Sequence, residues 1–387
     1  MKELSFLVKP ASSMCNMSCR YCFYADVSRR RETASYGLMT HDVAKRLITA
    51  AAEDVRPADR VIFAFQGGEP TLAGIGFYKY FFETARGLLP KNPVSFSLQT
   101  NGLALDEAWC TLFREYNVLV GLSIDGGPQF HNAYRLDPAG HGTYGRVRAS
   151  MQLMKRCGVM FNVLCVLTAQ AARHPSAIWS WLKKEGVEYV QFVPCLNELE
   201  PHAGVPWAVA PSRLCSFYRQ LFPLWRKHLE EGHFLSVKLF DDLVNQYLLG
   251  QVTACGMAGR CTIQYVVESN GDVFPCDFYV LDQYRLGSIL DSRPSELYPH
   301  GQAFLSDGQG HTEQEPCRSC PYRDTCGGGC KRQRDSMYIE NGVCQYAMLL
   351  DELLPPLLAF ARRRITAGGN GTAAWQNRFI HKTGGTM

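Results

Sequence analysis

The sequence has no long uninterrupted apolar run. None of its 387 residues belongs to a stretch near the roughly 18 consecutive apolar residues of a membrane span. The apolar segment at the start is short and is broken by Lys9 and Pro10, so it lacks the hydrophobic region of a secretory signal. We therefore expect a cytoplasmic protein without membrane contact, in which thiols stay reduced.

An excess of charge of one sign is missing as well. The chain has 40 Lys and Arg and 36 Asp and Glu, which leaves a formal net charge of +4. This bias is too slight to indicate nucleic-acid binding. The 10 histidines form no H-E-x-x-H or other metal-binding pair, and we interpret them as structural or surface residues.

Cysteine, by contrast, is abundant. The sequence contains 16 cysteines, and in a reduced compartment clustered cysteines are more typical of metal sites than of disulfides. Five of them lie in or beside apolar segments, and we predict that they serve packing: Cys110, Cys157, Cys165, Cys195 and Cys215. The remaining cysteines follow regular spacings that need another explanation.

Short β-rich runs alternate with amphipathic stretches over the first 196 residues. Six runs are predicted strands: 4–8, 61–65, 94–98, 118–124, 161–167 and 189–193. Three helices between them are predicted to begin after the N-caps Thr40, Asp106 and Thr143, the last ending at Gly158. The alternation predicts an α/β fold with a parallel sheet. Six units favour a partial (β/α)6 TIM-like barrel, although an open doubly wound sheet fits the same pattern.

The alternation stops after residue 197. Helices are predicted over 212–231 and 240–249, and the segment 255–344 is rich in cysteine and turns. We predict three parts: a barrel over 1–235, a cysteine-rich domain over 236–350, and a C-terminal helix with a disordered tail over 351–387. Polar residues follow three predicted strands, at 66–70, 99–102 and 123–126, where such a sheet positions chemistry.

The first loop carries Cys15, Cys19 and Cys22 in the pattern C-x3-C-x2-C. Three thiolates on one short loop can bind three irons of a [4Fe–4S] cluster and leave the fourth iron open. A zinc knuckle short of one ligand, or three core cysteines, would have the same spacing. The nearest histidine, His41, lies across a predicted turn and is not an obvious fourth ligand.

With an aromatic residue before the last of these cysteines and Gly67–Gly68–Glu69–Pro70 after the second strand, the chain resembles the radical S-adenosylmethionine (SAM) enzymes. The resemblance implies that the open iron binds the amino and carboxylate groups of SAM, and that one electron from the cluster produces a 5′-deoxyadenosyl radical. It also implies five SAM contacts: Tyr21, Gly68, Ser123, Arg135 and Leu196. Gly68 would let backbone groups reach the methionyl amine.

Eight further cysteines lie between residues 255 and 344 and resemble the SPASM extension of radical SAM enzymes that act on peptides. The resemblance implies two auxiliary [4Fe–4S] clusters, three in all, whose ligand sets are Cys255, Cys261, Cys276 and Cys330 for one and Cys317, Cys320, Cys326 and Cys344 for the other. Thiolate spacing alone is equally compatible with zinc. The run Gly327–Gly329 is interpreted as small residues that let the backbone approach a cluster.

Further motifs, among them Gln99–Thr100–Asn101–Gly102 and Val266–Val273 followed by Pro275–Cys276–Asp277, are similar to those of the anaerobic sulfatase-maturating enzymes. This resemblance implies oxidation of a cysteine or serine to Cα-formylglycine, with Asp277 as the catalytic base. Tyr24 and Gln66 would lie near the peptide. The implied partners are an unfolded sulfatase segment with a Cys/Ser-x-Pro/Ala-x-Arg motif and an electron donor such as flavodoxin or ferredoxin.

Two alternatives remain at this point. The chain resembles, more broadly, SPASM enzymes that introduce a thioether cross-link or epimerise another ribosomal peptide. From a different class, it would be a non-catalytic iron–sulfur electron carrier or a zinc-stabilised binding protein. Metal content separates this second class from the first, because three four-iron clusters require about twelve irons per chain.

Overall fold

The structure is a computed structural model that describes residues 3–199, 204–306 and 312–367. The last helix ends at Ala367. The disordered tail that the sequence predicts at the end of 351–387 therefore lies outside the described residues.

Fourteen strands are present in the described ranges, several of only two residues. In chain order they are β1 (Glu3–Val8), β2 (Ser18–Cys19), β3 (Arg60–Phe65), β4 (Val94–Thr100), β5 (Leu119–Ser123), β6 (Arg135–Leu136), β7 (Phe161–Leu167), β8 (Tyr189–Pro194), β9 (Ser236–Val237), β10 (Val266–Val267), β11 (Asp272–Phe274), β12 (Gly287–Ser288), β13 (Ile339–Glu340) and β14 (Val343–Cys344). The six predicted strands are confirmed as β1, β3, β4, β5, β7 and β8, with ends that differ by at most two residues.

The α-helices within the same ranges connect these strands. They are α1 (Phe23–Arg29), α2 (His41–Asp54), α3 (Ile75–Leu88), α4 (Glu107–Glu115), α5 (Pro128–His131), α6 (Tyr144–Cys157), α7 (Pro175–Lys184), α8 (Pro211–Glu230), α9 (Lys238–Leu248), α10 (Pro294–Leu297), α11 (Gln302–Ser306), α12 (Arg323–Cys326) and α13 (Gln345–Ala367). No helix among the described residues is long and apolar enough to cross a membrane.

Two of the three predicted N-caps are confirmed. The Thr40 side chain accepts a hydrogen bond from the Val43 amide, and the Asp106 side chain accepts one from Trp109, so each satisfies an amide that the helix leaves unpaired. The third helix, α6, begins after Thr143 and ends at Gly158 as predicted, but the Thr143 hydroxyl donates to the Arg135 carbonyl at 2.8 Å and does not cap the helix.

The chain divides into two compact units. The first comprises 1–123, 134–161 and 262–307, and its sheet has the order β12-β11-β10-β1-β3-β4-β5. β1 pairs in parallel with β3 on one side and with β10 on the other. β10 and β11 form an antiparallel hairpin, and Asp277, in the segment that follows β11, contacts Lys9 directly after β1.

A buried ion pair adds to this arrangement. Arg31, which follows α1, places Nη1 2.6 Å from Oε1 of Glu268 at the tip of the β10–β11 hairpin, and both side chains are almost fully buried. Removing one partner of a buried pair leaves an uncompensated charge, which costs about 3–5 kcal/mol. The pair therefore fixes the first loop's helix against the hairpin.

The second unit comprises 124–133, 162–261 and 308–387. Its parallel strands have the order β7-β8-β9. Trp225 of α8 is fully buried and its ring lies 4.9 Å from Phe240 and 5.6 Å from Phe360. Aromatic contacts of this kind join α8, α9 and α13 into the core of the unit.

Candidate active site

The loop between β1 and α1 presents the first three cysteines. Cys15 is exposed, whereas Cys19 and Cys22 are half-buried. The Met17 amide donates to Cys15 Sγ at 3.4 Å, and the Cys22 amide donates to the Cys19 carbonyl at 3.2 Å. A compact loop with three cysteines and an amide donor aimed at the sulfur of one of them suits a cluster with thiolate ligands.

Gly67 and Gly68 pack directly against this loop. A Cβ on Gly68 would lie 2.1 Å from the Met14 carbonyl oxygen, and one on Gly67 would lie 2.8 Å from that of Ser12. The Gly68 amide donates to the Ser12 carbonyl at 2.9 Å. Glycine is thus required here by the close approach of two backbones, a steric reason that the sequence alone did not reveal.

Glu69 is a residue of this site to which sequence reasoning assigned no function. It is 1% exposed, and burial raises its pKa. Its carboxylate accepts hydrogen bonds from the Thr71 amide and hydroxyl, the Thr100 hydroxyl at 2.7 Å and the Asn101 amide at 2.7 Å. Four donors allow a carboxylate to remain buried, and they tie the segment after β3 to the segment after β4.

The predicted SAM contacts belong to both units. Tyr21 and Arg135 lie together, with the guanidinium 5.4 Å from the ring centroid, and Arg135 pairs with Cys19 in the β2–β6 ladder. Ser123 is buried at the end of β5. Leu196 is half-buried after β8 and belongs to the second unit. The structure therefore places Tyr21 and Arg135 next to the cysteine loop.

Asp277 stands at the start of a short 3-10 helix directly after Cys276, and it is 9% exposed. The Tyr24 hydroxyl donates to its Oδ2 at 2.6 Å and lies 3.2 Å from Gln66 Oε1. Burial and the neighbouring Asp277 charge raise the pKa of Tyr24 well above its ordinary value, so the phenol stays protonated and continues to donate. Three predicted site residues thus meet at one point.

Lys9 is a second residue that the sequence reasoning missed. It follows β1, is 3% exposed, and places Nζ 3.1 Å from Asp277 Oδ1 and 4.7 Å from the Tyr24 ring centroid. Lysine is almost never fully buried unless it is paired. A lysine at the end of an otherwise apolar strand was the available signal, because strand ends are where this class of sheet positions chemistry.

The two oxygens of the Asp277 carboxylate have different partners. Among the described residues no donor makes a hydrogen bond to Oδ1, although the Lys9 ammonium lies beside it. Oδ2, by contrast, is held by Tyr24. The carboxylate is therefore fixed at one oxygen and charge-compensated at the other, where a lone pair remains for a proton.

Four C-terminal cysteines share one cavity in the second unit. The cavity has a volume of about 370 Å³ including its opening to solvent and is lined by Cys317, Cys320, Cys326, Cys344, Tyr338 and Tyr346. Burial, followed by the nearness of Cys344, raises the pKa of Cys326 to about 12, so metal binding must displace its proton. Arg334 donates to Cys317 Sγ at 3.8 Å and the Ala347 amide to Cys344 Sγ at 3.4 Å. These four residues match one of the implied ligand sets.

Three cysteines of the other implied set lie close to one another in the same unit. A Cβ on Gly256 would lie 2.6 Å from Cys330 Cβ, and one on Gly259 would lie 1.9 Å from the Gly327 carbonyl oxygen. Desolvation and the neighbouring Cys330 and Cys261 raise the pKa of Cys255. The glycine run therefore approaches the 255–261 backbone. Cys276 belongs to the first unit.

The five cysteines predicted to serve packing lie mostly in the interior. Cys110, Cys165, Cys195 and Cys215 are buried, and Cys157 is half-buried. Burial comes first among the causes that raise the pKa of Cys110 and of Cys215 to about 12. Thiols of this kind are unreactive.

Two family models match the chain. The radical SAM superfamily model matches residues 10–169, and the iron–sulfur cluster-binding SPASM domain model matches residues 255–321. The first match includes the cysteine loop, Gly68 and Arg135. The second includes Cys255, Cys276 and Asp277.

Characterised relatives and solved structures are similar over most of the chain. A cysteine-type anaerobic sulfatase-maturating enzyme of Clostridium perfringens is 40% identical over 87% of this chain and 91% of its own length. A serine-type enzyme of Bacteroides thetaiotaomicron is 28% identical over 87% of this chain and 84% of its own length. The solved structure of native anSMEcpe with bound AdoMet is 37% identical, has a TM-score of 0.84, and covers 93% of this chain and 99% of its own.

The mostly parallel sheet, the three-cysteine loop and the cysteine-rich C-terminal region define a radical SAM oxidoreductase with a partial barrel and a SPASM domain. Its cofactors are SAM and three [4Fe–4S] clusters, which replaces the zinc alternatives. Within that class, the chain belongs to the anaerobic sulfatase-maturating enzymes. The thiolate sets, with amide and guanidinium donors directed at their sulfurs, fit such clusters.

Proposed function

We propose that this enzyme oxidises a cysteine in an unfolded sulfatase segment with a Cys-x-Pro/Ala-x-Arg motif to Cα-formylglycine. The observation that carries the proposal is the Asp277 carboxylate, which is held at Oδ2 by Tyr24 and faces the Lys9 ammonium at Oδ1. A cluster held by Cys15, Cys19 and Cys22 would supply the electron that cleaves a C–S bond of SAM, and the resulting 5′-deoxyadenosyl radical would remove a hydrogen atom from the substrate Cβ.

The remaining demands of the reaction fall on the chain's own residues. The substrate radical at Cβ must lose its thiol proton and one electron to become a thioaldehyde, which water converts to the aldehyde with release of hydrogen sulfide. Asp277 Oδ1 is the acceptor for the proton. The electron would pass to an auxiliary cluster. Tyr24 keeps the carboxylate in place, and Gln66 lies beside it at the peptide position.

Cysteine is proposed over serine on the strength of the relatives. Identity reaches 40% with a cysteine-type enzyme and 28% with a serine-type enzyme over the same share of this chain. A solved structure similar to this chain, anSMEcpe with bound AdoMet and Cp18Cys peptide, holds a cysteine-containing peptide. The SuiB structures, at 17% identity and a TM-score of 0.59, share the fold alone and do not favour another ribosomal peptide.

The remaining assignments rest on the resemblance together with the geometry. The cavity supports Cys317, Cys320, Cys326 and Cys344 as one auxiliary ligand set. The proximity of Cys255, Cys261 and Cys330 supports three members of the other, and Cys276 is retained on the resemblance alone. Tyr21, Gly68, Ser123, Arg135 and Leu196 are retained as SAM contacts. The cytoplasmic location and the flavodoxin or ferredoxin donor are part of the same proposal.

The proposed three-part division of the chain remains 1–235, 236–350 and 351–387. The matched ranges, 10–169 and 255–321, fall within the first and the second part. This agreement supports a catalytic barrel followed by a domain for the auxiliary clusters.

A peptide assay tests the function. The holoenzyme is incubated anaerobically with SAM, a reductant and a sulfatase-derived peptide that contains Cys-x-Pro-x-Arg. We expect a mass loss that corresponds to exchange of sulfur for oxygen and removal of two hydrogens. A matched serine peptide should lose two hydrogens and react about tenfold or more slowly. Unchanged masses of both peptides while SAM is cleaved would overturn the proposal, and loss of two hydrogens alone from the cysteine peptide would point to a thioether.

Lys9→Met is expected to lower formylglycine yield per SAM cleaved by about tenfold or more, because it leaves the Asp277 carboxylate buried without a counter-charge. The measurement is the ratio of aldehyde product to 5′-deoxyadenosine. Lys9→Arg, which retains the charge, serves as the control and should keep most of the product. An unchanged ratio in Lys9→Met, with the iron content of the wild type, would contradict the role of Lys9.

A further inference from the structure

The polar segment at the end of β4, residues 99–102, has no role in the function proposed so far. Its Asn101 is buried and points toward the cysteine loop. Nδ2 donates to Asn16 Oδ1 at 2.7 Å and to Cys15 Sγ at 3.8 Å. Cys15 Sγ therefore receives two donors, the Met17 amide and the Asn101 side chain.

The orientation of the Asn101 amide is fixed by its surroundings. Oδ1 accepts a hydrogen bond from the Leu103 amide at 2.9 Å, and only the oxygen of an asparagine side chain can do so. Nδ2 must then face Asn16 and Cys15. Its two protons match these two acceptors.

The backbone of Asn101 is held in place by Glu69. Its backbone amide donates to Glu69 Oε2 at 2.7 Å, and Glu69 Oε1 accepts from Thr100 and Thr71. A short chain of hydrogen bonds thus runs from Glu69 through Asn101 to Cys15. A donor held in this way does not need to be ordered when the cluster assembles.

We propose that Asn101 is a positioning residue that holds the Cys15 thiolate and eases one-electron reduction of the first-loop cluster. In that step a low-potential iron–sulfur or flavin protein gives one electron to the oxidised cluster, and the added negative charge is shared by the ligand sulfurs. A hydrogen bond to a ligand sulfur stabilises the reduced form and makes the reduction potential less negative. The inference rests on the three-cysteine cluster of the proposed function.

The test compares wild type with Asn101→Leu, which has a similar size but no donor. The part of the electron paramagnetic resonance signal that changes on adding SAM reports the first-loop cluster. We expect the midpoint potential of this cluster to be more negative in Asn101→Leu. At the potential that reduces half of the wild-type cluster, the reduced fraction of the variant should therefore be severalfold lower. An unchanged midpoint with full iron content would overturn the proposal.

The chain offers a matched control at the other end of the same strand. Asn92 precedes β4 and also donates twice through Nδ2, to the Arg56 and Asp59 carbonyls at 2.7 and 2.8 Å, but its bonds involve no cysteine. Asn92→Leu should leave the midpoint where it is in wild type. An equal shift of the midpoint potential in Asn92→Leu and Asn101→Leu would show that the effect is a general change of packing. That result would contradict the proposal.

If Asn101→Leu does not assemble the cluster, a second variant and a spectroscopic measurement test the proposal. Asn101→Asp keeps an oxygen for the Leu103 amide but lacks the amide protons. Proton electron–nuclear double resonance of the reduced cluster in H2O and D2O should lose one exchangeable coupling in this variant and retain that of Met17. Retention of both couplings would overturn the proposal. These outcomes are independent of peptide turnover, so an inactive wild type would contradict only the proposed function.

Discussion

Asp277→Asn is expected to cleave SAM at close to the wild-type rate while its formylglycine yield falls by about a hundredfold or more, the usual worth of a positioned general base. The two side chains have nearly the same shape, and an amide oxygen can still accept the Tyr24 hydrogen bond. What the variant loses is a group that can take up the thiol proton. The substrate radical would then form without proceeding to the thioaldehyde.

The measurement is the yield of aldehyde and of 5′-deoxyadenosine from the same reaction, with the peptide deuterated at Cβ. Transfer of deuterium into 5′-deoxyadenosine shows that the radical still reaches the peptide. Asp272→Asn is a matched control: this aspartate begins β11, shortly before Asp277 in the chain, and pairs with Arg285. Equal product yield from wild type and Asp277→Asn would remove Asp277 from the mechanism, as would an equal loss in the control.

Local chemistry explains which parts of the fold were predictable. The strands could be predicted because β3 is an apolar run buried on both faces, as parallel strands are. Thr40 and Asp106 cap their helices as predicted because an N-cap depends only on its own turn. Thr143 does not, because its hydroxyl bonds to the Arg135 carbonyl eight residues earlier. That partner is supplied by the β2–β6 pairing, which no local pattern encodes.

In the candidate site, too, local patterns predicted some residues and long-range contacts determined others. Spacing and resemblance named the cysteines, Asp277, Tyr24 and Gln66. They did not reveal Lys9, whose partner Asp277 lies far away in the sequence, or the chain from Glu69 to Cys15. These contacts follow from the parallel pairing of β1 with β10 and of β3 with β4. A pattern can place a residue at a strand end, but only the order of the strands decides which residue it meets.

Replacing Cys15, Cys19 and Cys22 together by alanine is expected to abolish SAM cleavage altogether. Iron should fall from about twelve to about eight per chain, because one four-iron cluster loses all its protein ligands while two remain. The auxiliary sets should persist, since the variant exchanges none of their implied ligands and the four cysteines of the 370 Å³ cavity lie in the second unit. Iron and sulfide analysis, with a SAM-cleavage assay, measures both effects.

A double variant, Cys110→Ala with Cys157→Ala, separates cluster ligands from packing cysteines. Burial and the nearby Cys157 thiol raise the pKa of Cys110 to about 12, so it stays a protonated, apolar group. The exchange should cost stability through a small cavity but leave iron at about twelve, the content of three four-iron clusters, and SAM cleavage intact. Iron that stayed at about twelve in the triple variant would contradict the first-loop cluster. Loss of iron in the double variant would instead indicate that Cys110 and Cys157 are cluster ligands.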